Sequence, residues 1–292
     1  MSKVVNDDYP TPGAPVSDKE LKERFLNEQR SPIQSLPATS TSIPTEIIEL
    51  PSKGLFYPEG HPLASGKIEM RYMTARDEDI LSSQTLIKQG VVIDKLLQSL
   101  IITPVDYDSI LTIDRGAIFI TARVLAYGKD YEVEVSCPSC GTKSKQTVDL
   151  QSFDDKVVDW TDFTKGQTTH KFILPAGKQE LTLKFLTHGD EKRIEEDLKG
   201  SRKLGRITGI DPELTTRLRH IIVAVDGKES SSDIARCVDN MLSRDSLALR
   251  THLKKITPDL NTQFLFNCTS CGHEQLMNLP IGISFFWPGA GA

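Results

Sequence analysis

Apolar side chains recur along this chain at two periods, and the switches between them mark out its elements. Residues 68–73 (IEMRYM) alternate, as in a strand with one buried face. Thr74 then opens TARDEDIL, and a Thr with an acidic residue three positions later is a helix-start signature. Helical spacing continues over 91–101 and 110–127. The segment YEVEVSCPSCGTKSKQTVDL predicts an alternating strand, a tight Cys-x-x-Cys-Gly turn and a second strand. A linker-like stretch over 151–169 leads to HKFIL and LTLKFLT, a predicted strand pair. Thr187 opens THGDEKRIEEDL, a second capped start, and helices are expected over 212–224 and 232–256. QFLFNCTSCGHEQLMNLPI then repeats the strand–turn–strand pattern.

The first 45 residues have no such period. They are rich in Pro, Ser and Thr and poor in buryable side chains, so a largely disordered, solvated arm is expected there, with an arm that orders on a partner as the alternative. Only 18–27 (DKELKERFLN), behind Ser17, has helical character. The following IIELPSKGLFYPEGHPL reads as turn-rich.

The pattern has an internal register. Asp114 and Asp245 lie 131 residues apart, as do Cys137 and Cys268. At that spacing Val133 matches Phe264, Val135 matches Phe266, Gly141 matches Gly272 and Val148 matches Leu279. Upstream, Tyr72, Thr74, Asp77 and Glu78 match Phe185, Thr187, Asp190 and Glu191 at a spacing of 113, so the second copy carries 18 additional residues. The expected fold class is α+β: an internally duplicated strand–helix–zinc-knuckle unit, closed by a split four-cysteine zinc ribbon. The expected domains are the arm at 1–45, a first repeat at 46–150 and a second at 170–288.

The N-terminal residues lack the apolar core of a signal peptide, and the strongly apolar run at 221–225 is far too short to cross a bilayer. A reducing cytosol is therefore the expected compartment, where paired Cys-x-x-Cys motifs point to metal rather than to disulfides. Cys137, Cys140, Cys268 and Cys271 supply four soft ligands, two from each tight turn, which suits a tetrahedral Zn2+. Four thiolates leave no open position, so the expected role is structural. His273 beside Cys271 is expected to face outward, and Cys237, in an amphipathic IARCVDNML segment, to act as a small core hydrophobe.

Catalysis finds no support. Asp77, Glu78 and Asp79, like Asp190 and Glu191, fall in the first turns of expected helices, where capping and the helix dipole account for them. The six histidines form no metal-binding pair, and no phosphate loop or nucleophile elbow occurs. With 40 acidic against 35 basic residues and a net charge of −5, a nucleic-acid footprint is disfavoured. Its best residues would be Lys143, Lys145, Arg202, Lys203 and Arg206.

LPSKGLFYPEG (50–60), the strand after it, TARDEDIL (74–81), the CPSCG and CTSCG knuckles and the closing SFFWP (284–288) together resemble the baseplate proteins of T-even-type contractile-tailed bacteriophages. That family includes baseplate hub subunits and hub-assembly proteins. The resemblance spans roughly 46–288 and implies a non-enzymatic role in building the tail. Its partners would be other baseplate, hub and tail proteins, with an oligomer within the assembly allowed. The protein would be made in the host cytoplasm, with a place in the virion tail left open. Phe285, Phe286 and Trp287 either fold onto the core or form an aromatic anchor for a partner.

Overall fold

The computed structural model describes residues 43–286 except 157, 160, 162, 209–211, 259 and 282, without the side chains of 202–208, 283 and 284. The helix expected over 18–27, Trp287 and the side chains of Arg202, Lys203 and Arg206 lie outside the described residues. The described residues fall within one compact unit.

The elements are α+β. Strands β1 (Thr45–Glu49) and β2 (Lys67–Arg71) pair antiparallel, and helices α1 (Ala75–Ser82), α2 (Gln84–Gln89), α3 (Val92–Leu100) and α4 (Thr112–Tyr127) follow. Strands β3 (Asp130–Ser136) and β4 (Lys143–Asp149) form the first knuckle hairpin. Next come β5 (Thr169–Ile173), β6 (Glu180–Lys184), α5 (His188–Thr208), α6 (Glu213–Ile221), β7 (Ile222–Val225), α7 (Ser231–Asp239) and α8 (Ser243–Ile256). Strands β8 (Gln263–Asn267) and β9 (Glu274–Asn278) form the second knuckle hairpin.

Three local expectations change. The apolar run at 222–225 is a strand, not helix: it pairs antiparallel with β6, making the three-stranded sheet β5–β6–β7. A short apolar run has no period of its own, so only the neighbour that accepts its hydrogen bonds decides between helix and strand. The helix expected over 232–256 is two, α7 and α8, broken at 240–242. The turn-rich reading before residue 50 misses β1, whose side chains are nearly all exposed and so leave no alternation to read.

Both halves begin with an antiparallel strand pair and end with a long helix and a knuckle hairpin; between these the first has α1–α3, and the second α5, α6, β7 and α7. After β1 the chain turns through Leu50, Pro51 and Ser52; after β5 it turns through Leu174, Pro175 and Ala176. Gly54 at the first turn has φ +75°, and an added Cβ would lie 2.5 Å from the Gly66 nitrogen, so no larger residue fits. Ile101, directly after the nine-residue α3, bridges Met70, and Ile222, directly after the nine-residue α6, pairs with Leu183. The 18 extra residues thereby divide into 8 between strand and pairing residue and 10 beyond it, the latter carrying α7.

Packing does not follow the halves. One core holds Leu50, Phe56, Ile68, Leu97, Ile118, Val133 and Val148 together with Phe264, Phe266, Leu279, Phe285 and Phe286. A second, smaller core holds Leu181, Leu183, Leu218, Ile222, Cys237 and Leu249. The C-terminal hairpin therefore packs into the core of the first half. Phe285 and Phe286 are 0% exposed, so these two rings lie in the core rather than on an anchor surface.

Candidate metal centre

Each knuckle turn is fixed by the same two backbone hydrogen bonds. In the first, Cys137 N–H donates to Thr142 O (2.9 Å) and Gly141 N–H to Cys137 O (2.8 Å). In the second, Cys268 N–H donates to His273 O and Gly272 N–H to Cys268 O, both at 2.9 Å. Gly141 and Gly272 have φ of +73° and +68°, with open space where a Cβ would go. Backbone handedness, not crowding, calls for glycine there.

The turns bring the four sulfurs together. Cys137 Sγ lies 3.7 Å from Cys271 Sγ, and Cys140 Sγ lies 3.7 Å from Cys268 Sγ, so each close pair joins the two hairpins. All four lie within 4.8 Å of one another. A tetrahedral ion with metal–sulfur bonds of about 2.3 Å separates its sulfurs by about 3.8 Å, so the cluster is close enough to hold one. Cys137 and Cys268 are buried and Cys140 and Cys271 exposed, giving the site an inner and an outer edge.

The surroundings favour thiolate on one side of each turn. The N–H groups of Cys271 and Ser270 point at Cys268 and bring its thiol down to about 6. The hydroxyl and N–H of Thr142 lower Cys140. The His273 N–H pulls on Cys271, but Cys140, burial, Cys268 and Cys137 together push it up to about 12. A cation among the four sulfurs would favour their thiolate forms.

Side chains tie the hairpins together beyond the sulfurs. Gln146 of β4 donates from Nε2 to Leu265 O (2.6 Å) and accepts from Asn267 N–H (3.2 Å), standing in for a strand along the edge of β8. Ser144 Oγ lies 3.5 Å from Thr269 Oγ1. His273 turns its ring towards Gln275 Oε1 at 3.3 Å and contributes no ligand. Nothing in the sequence singled out Gln146, because a side-chain amide has no periodic signature.

The remaining candidates have partners within the fold. Asp77 closes a capping box with Thr74 and is gripped at 2.7 Å on each oxygen by Arg71. Burial alone would raise its pKa, but Arg71, Thr74 and Ser99 hold it well below the usual carboxylate range. Asp190 is held likewise by Lys184 at 2.9 Å and by Thr187 N–H. Cys237 is buried in the second core, its thiol donating to Gln179 Oε1. His170 and His252 meet with ring centroids 5.7 Å apart among Phe163, Phe172 and Phe185, and burial lowers His170 to about 4.

The two register-marking aspartates have a role that sequence reading missed. Asp114, in the first turn of α4, accepts from Ser52 N–H (2.9 Å), Ser52 Oγ (2.8 Å) and Tyr57 Oη (2.8 Å). Asp245, in the first turn of α8, accepts from Ala176 N–H (2.7 Å) and Gly177 N–H (2.8 Å). Each ties its helix to the Leu-Pro turn after the first strand of its half. The recurrence of that dipeptide at 50–51 and 174–175 was the signal available.

These features define a class: an α+β protein with a four-thiol cluster held between two hairpins. The chain belongs to the T4 bacteriophage base plate protein family, whose model matches residues 45–287. No curated protein and no solved structure is matched. Membership supports a structural role in a phage baseplate and contact with other tail proteins. Among the described residues no helix is long and apolar enough to cross a membrane.

Proposed function

We propose that this chain is a non-enzymatic hub component or hub-assembly factor of a contractile-tail baseplate, working through protein–protein contacts and stabilised by one Zn2+. Cys137, Cys140, Cys268 and Cys271 are its ligands. The family match carries the baseplate role. The zinc reading rests on four sulfurs within 4.8 Å on two identically hydrogen-bonded turns. A closed set of four thiolates supports folding rather than chemistry. The proposed setting is the host cytoplasm during assembly, followed by the tail of the virion.

Within this reading the halves at 46–150 and 170–288 descend from one duplicated unit, preceded by an arm at 1–45. The support is the equivalence of Arg71–Asp77 with Lys184–Asp190, of Asp114 with Asp245, and of the two knuckles. The ion then joins one half-site from each copy, across hairpins that already share a core.

Purification of tail and hub intermediates from infected cells tests the role. The chain is expected to co-purify with them and its loss to stall their assembly; a chain absent from every intermediate and dispensable for assembly sinks it. Elemental analysis is expected to give one zinc per chain, and a metal-free folded protein rejects the site. The rival, a zinc-ribbon nucleic-acid binder, is disfavoured by the net charge of −5. Tight DNA or RNA binding with a steep salt slope would revive it.

A further inference from the structure

The two knuckle hairpins differ most on their outward faces. The positions three before the first cysteine and five after the second hold Glu134 and Lys145 in one hairpin, and Leu265 and Leu276 in the other. Both are directly opposed cross-strand pairs. The outer strand β3 carries Asp130, Glu132 and Glu134, a charged edge that resists pairing with another strand. Leu265 and Leu276, by contrast, are 55% and 60% exposed. Their row is flanked by Gln263 opposite Asn278 and by Asn267 opposite Glu274. The one carboxylate among these accepts from Asn267 Nδ2 at 2.9 Å. Gln146 covers the edge of β8, whereas β9 has β8 as its one strand neighbour among the described residues.

We infer that β9 is a self-pairing edge, and that its occupant is β9 of a second copy of this chain, antiparallel and centred on Leu276. In that register Leu276 faces the second copy's Leu276, and Glu274 faces the second copy's Asn278, so no like charges are opposed. Directly opposed residues share a face, so Leu265 and Leu276 of both copies form one continuous apolar row. A two-fold contact of this kind closes on itself and gives a dimer rather than a fibre. The same construction fails on the other exposed edges. Centred on Val133, β3 would oppose Glu132 to Glu134; centred on Lys171, β5 would oppose lysine to lysine. On β1, exposed Ile47 lies opposite Glu69, which leaves no apolar row.

The test is sedimentation velocity of the purified full-length protein over a concentration series. A five-residue edge makes a small interface, so the dimer fraction is expected to rise with concentration. Leu276→Glu places two carboxylates face to face on the two-fold and is expected to give single-chain mass throughout, with metal content and circular dichroism unchanged. Leu265→Gln lies one strand in from the edge; it is expected to lower the dimer fraction less, and it serves as the readout if Leu276→Glu disturbs folding. Single-chain mass for the wild type at every concentration, or a dimer that both variants leave intact, overturns the proposal. A chain that stays monomeric yet co-purifies with tail intermediates overturns the dimer alone and leaves the baseplate role standing.

Discussion

The two halves of this protein use one hydrogen-bond framework with different side chains. In the first, a carboxylate at the third position of a helix caps Thr74 and takes both arms of Arg71; in the second, Asp190 caps Thr187 and takes the ammonium of Lys184 together with one arm of Arg193. Asp114 grips its turn through a backbone N–H and two hydroxyls, Asp245 through two backbone N–H groups. The position of each carboxylate is common to both, and the partners differ. What is not shared is packing: both hairpins lie in one core, and the second half keeps a smaller core of its own.

Substitutions separate what is common from what is not. The largest expected effect is at the sulfurs. With zinc bound as proposed, Cys137→Ser and Cys268→Ser should each abolish stoichiometric zinc and lower the melting temperature by similar amounts, because the binding free energy of a structural metal is folding free energy. Unequal losses, measured by elemental analysis and calorimetry, would show that the half-sites are not equivalent. Next comes the core. Phe266→Ala, fully buried, should cost about 3–5 kcal/mol by denaturant titration. Its register partner Val135, only partly buried, should cost less on truncation. An equal pair would refute the asymmetric packing.

The capping carboxylates follow. Asp77→Ala leaves a largely buried guanidinium unpaired and should cost about 3–5 kcal/mol, whereas Asp190→Ala, facing a more exposed Lys184, should cost about 1–3 kcal/mol. Both folded pKa values lie below the ordinary aspartate value of 3.8, Asp77's the further below. Their stabilisation is therefore present above that value and lost as pH falls through the folded value. In both variants the acid-unfolding midpoint should move to higher pH.

The smallest effect is at Asp114, where burial, against the hydrogen bonds of Ser52 and Tyr57, raises the carboxyl to about 6. The sign is opposite: the folded state binds the proton more readily than the unfolded one, so this contribution is fully present below 3.8 and lost as pH rises to about 6. Asp114→Asn should flatten the stability profile across that window. An unchanged slope would count against the buried carboxyl as its source.

Much of this was legible in advance. The Thr-x-x-Asp starts, the alternation around each knuckle and the Cys-x-x-Cys-Gly spacing are local, and each names its own geometry. Elements without a local signature were not: β1, whose exposed side chains give no alternation, and β7, whose apolar run fits either period. Asp114 and Asp245 stood out as register marks, yet their partners lie 62 and 69 residues away in sequence.

The four thiols, their two turns and the shared register of the halves follow from the order of residues, because turn and capping chemistry is written in near neighbours. Packing had to be seen to learn that the sulfurs of different hairpins converge to 3.7 Å, that Gln146 bridges the hairpin edges, and that Phe264, Phe266, Phe285 and Phe286 fill the first half's core. Apolar burial has no direction and no preferred partner, so periodicity shows which side chains are buried but not against what.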